Sequence, residues 1–190
     1  MKTFRLVVLI EIAICAAFAL VLDLLPSIKL SPAISISFAM VPIFVVAFRW
    51  GVKASFVSGL LWGILQIVTG DAAGSILTPV QGFIEYFIAF AFIGVAGFFR
   101  PFIQSNIHEG NRGKIVFWVV IATFFGSIGR YFWHFIAGFI FWGKYAPKGQ
   151  SAILYSFIAN GTTMIFTFIL CAIILGIIIS TSPKLIKKFA

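Results

Sequence analysis

The sequence predicts an all-α membrane protein: six transmembrane helices in a single bundle, residues 1–190 forming one domain, with both termini in the cytoplasm. Three observations predict it. The chain is 62% hydrophobic and 10% charged, with a mean hydropathy of +1.13, more apolar surface than a soluble domain of this size can cover. Turn-forming residues cut the apolar sequence into six runs. Lys and Arg are distributed unevenly between alternate connections.

The runs follow in order. The first spans Leu6 to Leu25 and stops at Pro26; the second spans Ala33 to Phe48 and the third Ala54 to Thr69. The fourth runs from Pro79 to Phe99, the fifth from Ile115 to Phe141 and the sixth from Ile153 to Ile179. About 20 apolar residues cross a bilayer, so the second and third are short and the fifth and sixth must tilt or protrude. The punctuation is Pro26 and Pro32, Arg49-Trp50-Gly51, Gly70-Asp71, Gly110-Asn111, and Gly143 to Gly149. No internal repeat or low-complexity segment divides the chain.

Ten basic residues fall on one side: Lys2, Arg5, Arg49, Lys53, Arg100, Arg112, Lys114, Lys184, Lys187 and Lys188. Lys29, Lys144 and Lys148 fall on the other. The richer side is cytoplasmic by the positive-inside rule. The net charge of +9 therefore reads as topology and not as a nucleic-acid surface. The basic start Met1–Arg5 precedes an apolar run that holds Glu11 and Asp23 and has no cleavage site, so no cleavable signal peptide is expected. Cys15 and Cys171 lie in apolar runs without metal-ligand spacing and read as small packing residues.

Ionisable groups inside a span are costly and mark functional sites by default. Arg130 and His134 sit in the fifth run, Glu85 in the fourth and Asn160 in the sixth. At ~1.5 Å per residue, Glu85 lies ~9 Å, His134 ~12 Å and Asn160 ~10 Å below the outer surface. Tyr155 is closer to it. A carboxylate, an imidazole and a carboxamide from three spans thus reach one level, which predicts a pocket opening outward. Arg130, His134, Gly138 and Trp142 recur every four residues along one helix face. Gly138 serves either a closely lying flat ligand or tight helix packing. Trp142 serves either ring stacking or interfacial anchoring. Glu85 attracts a cation, with Arg130 as its expected ion-pair partner; Gln81 and Tyr86 adjoin it. The predicted ligand is small, aromatic and cationic.

Several motifs carry no function. Gly138 to Lys144 has Walker A spacing, but Tyr145 replaces the required Ser or Thr and aromatics fill the loop. Asn160-Gly161-Thr162 is a glycosylation sequon inside a span. His108 and His134 lie on opposite sides of the membrane and make no metal pair. No second carboxylate, nucleophile or metal set accompanies Glu85 and His134, which argues against an enzyme. No paired repeats or broken helices favour a self-sufficient secondary carrier, the alternative reading.

The chain resembles the thiamine-specific substrate-binding subunits (S components) of energy-coupling-factor transporters. The likeness runs through Ile10-Glu11-Ile12-Ala13 with Asp23, Pro42-Ile43-Phe44, Phe48 to Ala54, and Glu85-Tyr86 with Ala89-Phe90. Its most specific block is Arg130-Tyr131, His134, Gly138, Phe141, Gly143, Ala146-Pro147, Gly149, Tyr155-Ser156 and Asn160. The resemblance implies six helices, thiamine bound from outside, no cofactor and no ATPase in this chain. It implies that Glu85 faces the thiazolium and pyrimidine, that His134, Tyr155 and Asn160 hydrogen-bond the ligand, that Trp142 stacks on a ring and that Gly138 lines the pocket, with Tyr86 a further candidate. It also implies docking, through Ala13 and Ala17, on an energising module of one membrane subunit and two ATPases. Some members carry an aromatic in the first outer loop as a lid; Pro26 to Pro32 has none here.

Overall fold

A computed structural model describes residues 6–25, 28–31 and 34–187. The basic start at Lys2 and Arg5, the loop residues Pro26 and Pro32, and Lys188 lie outside the described residues. The described residues form a hairpin and a series of helices joined by short 3₁₀ turns: α1 (Leu6–Asp23), β1 (Ile28–Ser31), β2 (Ile34–Ile36), α2 (Val41–Trp50), α3 (Val52–Val68), α4 (Pro79–Glu109), α5 (Arg112–Phe141) and α6 (Ala152–Thr181). By length and composition α1, α4, α5 and α6 are each able to cross a membrane, whereas α2 and α3 are shorter apolar helices.

The first departure from the sequence reading is the second run. It is not a helix from Ala33: β2 pairs antiparallel with β1, Ile28 opposite Ile36 and Lys29 opposite Ser35, and α2 begins only at Val41. The cause is local. Ile34-Ser35-Ile36 alternates apolar and polar β-formers, the pattern of a strand, and Pro42 stands in the first turn of α2, where its missing N–H costs nothing. The second departure is α4, which continues past Phe99 to Glu109 because Pro101 falls in the first turn of its last segment.

The helix α4 changes pitch along its length. Phe83–Ile88 is wound as a π-helix and Ile93–Phe99 as a 3₁₀-helix. The π turn buries two consecutive residues, Glu85 and Tyr86. Such turns concentrate at functional sites.

Close approach defines the packing. A Cβ on Gly63 would stand 1.7 Å from the carbonyl oxygen of Tyr86, so α3 and α4 touch backbone to backbone. Gly59 repeats this against Phe90, and Gly126 and Gly129 bring α5 onto α4 at Ile93 and Phe92. Helices without large side chains at their contacts gain dispersion and weak polar contacts where lipid supplies no hydrophobic force. A single residue, Gly51, reverses the chain between α2 and α3 with φ +86°.

At the end of the bundle where α1 starts and α6 stops, the basal end, Arg49 pairs with Glu11 at 3.3 Å, and Trp50 Nε1 donates to the same carboxylate at 2.6 Å. Gln104 Nε2 donates to the carbonyls of Phe48 and Ile186, tying the last described residues to α2. The core runs through Phe44, Phe48, Trp62, Phe90 and Ile93. The opposite, far end holds the α3–α4 and α5–α6 connections.

Candidate functional site

Among the predicted residues of α4, α5 and α6, the structure joins Glu85 to Trp142, Tyr86 and His134 to Phe90, and Gly138 to Asn160. The π turn aims Glu85 inward, and Trp142, at the end of α5, donates its Nε1–H to Glu85 Oε1 at 3.1 Å. Indole and carboxylate thus share one site. The Trp142 ring also lies 5.6 Å from that of Tyr145. Gln81 is fully buried one turn above Glu85 and fixes the preceding loop, accepting from Leu77 N at 2.9 Å and donating to Ser75 O at 3.0 Å.

The expected ion pair between Glu85 and Arg130 does not form. Arg130 instead lies over the rings of Phe90 and Trp62, at 4.2 and 4.8 Å, and its Nε donates to His134 Nε2 at 3.4 Å. Equal depth does not fix azimuth: the carboxylate meets the indole, while the guanidinium turns to an aromatic platform that desolvates it at little cost. Tyr86 stacks on Phe90 with centroids 5.7 Å apart, and the His134 ring meets the same Phe90 edge-on at 6.3 Å. Phe90 therefore links Tyr86, His134 and Arg130.

Gly138, Ser156 and Asn160 form the α5–α6 contact. A Cβ on Gly138 would stand 2.2 Å from Ser156 Oγ and 3.0 Å from Asn160 Nδ2, so helix packing accounts for this glycine. Ser156 Oγ donates to Phe135 O at 2.8 Å, and Asn160 Nδ2 donates to Ser156 O at 3.1 Å. Tyr155 is half-buried one turn before Ala159 on α6, and its hydroxyl makes no hydrogen bond among the described residues. An apolar crevice of about 270 Å³ opens between α5 and α6 beside Tyr131, Phe135, Asn160 and Gly161. Glu85, His134 and Trp142 do not line it, and its exposed rim of Ile128, Phe132 and Phe157 faces away from the bundle.

Ala13 and Ala17 are exposed on α1, whereas Ile12, Ala16 and Ala19 face the core. Internal packing therefore does not use the Ala13/Ala17 pair. Among the described residues no group of three or more His, Cys, Asp or Glu is placed to hold a metal.

Sequence reasoning gave Asp23, Trp62 and Gln66 no role in the site and counted no second carboxylate there; Asp23, held by Gln66, corrects that count. Asp23 accepts from Ser37 Oγ at 3.2 Å and from Gln66 Nε2. Trp62 and Gln66 stand one turn apart on α3, a polar-aromatic spacing in an apolar run that was available as a signal.

Comparison with known proteins gives this arrangement a lineage. The family model described as Thiamine transporter protein (Thia_YuaJ) matches residues 9–187. The chain belongs to this family. It is 43% identical over 186 residues to the Thiamine transporter ThiT of Bacillus subtilis, covering 97% of this chain and 96% of the relative. It is 37% identical over 182 residues to the Thiamine transporter ThiT of Lacticaseibacillus paracasei, covering 95% and 90%. The solved structure of ThiT from Listeria monocytogenes superposes with a TM-score of 0.92 at 41% identity, covering 96% of this chain and 98% of that one. The family is one of transporters and not of enzymes. With its long apolar helices, the chain is a multi-pass protein of the bacterial cell membrane.

Proposed function

We propose that this chain is the high-affinity thiamine-binding subunit of an energy-coupling-factor importer, a single six-helix membrane domain that captures thiamine from outside and delivers it by docking on a separate energising module. The observation that carries the reading is the Glu85–Trp142 pair: a buried carboxylate held by an indole suits a flat organic cation. The carboxylate supplies charge, and the ring supplies a stacking and cation–π face. Family membership supports thiamine as the ligand.

The proposed roles are those the family resemblance implies, and the Glu85–Trp142 contact supports them. Glu85 faces the thiazolium and aminopyrimidine. Trp142 stacks on a ring while its N–H steadies Glu85. His134, Tyr155 and Asn160 offer hydrogen bonds, the Tyr155 hydroxyl being unengaged. Gly138 sets the α5–α6 spacing that brings Asn160 close, and Tyr86 closes the α3 side. The far end is extracellular and the basal end cytoplasmic, with both termini on the cytoplasmic side, a reading that the Lys and Arg distribution supports. The exposed Ala13/Ala17 face of α1 meets the membrane subunit of the module, where small residues permit close helix contact.

Fluorescence titration of the purified protein with a panel of vitamins tests the ligand. Thiamine alone should quench Trp emission with saturable, tight binding; unchanged emission, or equal response to unrelated vitamins, would refute the assignment. In liposomes, uptake should require the energising module and ATP. Accumulation by the chain alone would favour a secondary carrier.

A further inference from the structure

A second carboxylate stands near the site without belonging to its expected contacts. Asp23 ends α1 and is partly buried, its Oδ1 accepting from Ser37 Oγ at 3.2 Å and its Oδ2 from Gln66 Nε2. Gln66 shares a face of α3 with Trp62, whose ring carries the Arg130 guanidinium at 4.8 Å. Asp23 and Arg130 thus both meet the Gln66–Trp62 face of α3, without ion-pair contact. Arg130 in turn donates to His134 Nε2 at 3.4 Å.

We propose that Asp23 is a specificity-determining residue that acts at a distance: it offsets the charge of Arg130 so that the site keeps one net negative charge, matched to a ligand with one positive charge. The site otherwise holds Glu85 and Arg130, whose charges cancel for any group feeling both. An arginine beside a cation site is a liability, and no acidic side chain touches it among the described residues. Asp23 supplies the missing counter-charge through Gln66 and the Trp62 face, fixed in position by its two hydrogen bonds. Asp71 and Lys144 are exposed at the far end, where solvent and salt screen them. The inference rests on the thiamine reading and adds the origin of its charge selectivity.

The test compares thiamine with its uncharged isostere bearing thiophene in place of the thiazolium, on the full chain in lipid nanodiscs. Asp23→Asn keeps the size of the side chain and removes the charge. A unit charge about 10 Å away at an effective dielectric near 20 changes affinity on the order of tenfold. Asp23→Asn should therefore weaken thiamine by about tenfold and the isostere by less than about threefold. Arg130→Gln should shift the ratio of the two affinities in the opposite sense, towards thiamine, whatever it does to each alone. Asp23→Glu should retain the wild-type ratio. Equal losses for both ligands in Asp23→Asn would reduce Asp23 to a structural clasp and overturn the proposal, as would no loss at all. If Asp23→Asn does not fold, Asp23→Ser, which keeps a hydrogen-bonding oxygen and removes the charge, decides by the same ratio, and an unchanged ratio overturns the proposal. Failure of the unmodified protein to bind either ligand would instead refute the thiamine reading, and this proposal with it.

Discussion

Replacing Glu85 by Gln removes one negative charge and leaves a carbonyl able to accept from Trp142 Nε1, so the substitution isolates charge from shape. A ligand cation about 4 Å from the carboxylate, at an effective dielectric near 20, is attracted by about 4 kcal/mol. Part of that attraction replaces hydration of the free carboxylate, so a net loss of about 2–4 kcal/mol is expected. That corresponds to a dissociation constant raised about 30- to 1,000-fold for thiamine. The uncharged thiophene isostere loses only a polar contact and should weaken less than about tenfold. Trp fluorescence titration of detergent-purified protein reads both constants. Equal weakening would show that Glu85 acts through shape or hydrogen bonding, and the electrostatic argument would be wrong.

Further substitutions separate the other contributions. Trp142→Phe keeps a ring and removes the donor to Glu85, so thiamine affinity should fall about 5- to 50-fold and the fluorescence response should shrink. An unchanged constant would remove Trp142 from the site. Gly138→Ala places a methyl against Ser156 and Asn160 and should destabilise the bundle by about 1–3 kcal/mol, read as a lower thermal midpoint; adding Ser156→Ala should recover part of that loss. Gly63→Val drives a side chain into the Tyr86 carbonyl, with no flexible group to yield, and should abolish folded protein on size exclusion. Ala13→Trp with Ala17→Trp should leave thiamine titration unchanged, because both positions are exposed, while preventing co-purification with the energising module. Intact co-purification would move the docking surface elsewhere.

The helices were largely legible because lipid imposes a long apolar run with polar ends, and α1, α3, α5 and α6 lie within a few residues of their expected bounds. The hairpin was not, although Ile34-Ser35-Ile36 carried its alternation, because the apolar average of the window outweighed it. The π turn over Phe83–Ile88 was invisible, because no residue type specifies it. Depth counting set Glu85, His134 and Asn160 at one level, but the structure joins Glu85 to Trp142 and His134 to Arg130, because one dimension of position leaves the angle about the helix axis free. The Asp23–Gln66 contact joins residues 43 apart, and nothing in either local stretch announces it.

The change of winding in α4 separates two jobs within one helix. Above Ile88 the backbone has already absorbed an extra residue, so a one-residue deletion in Phe83–Ile88 would restore ordinary winding. It would swing the segment bearing Glu85 by about a quarter turn, at the expense of the Gly63 contact with Tyr86, while leaving the Gly59, Gly126 and Gly129 contacts below it undisturbed. A lineage could in this way re-aim its recognition surface towards a different small molecule without renegotiating the half of the helix on which assembly depends.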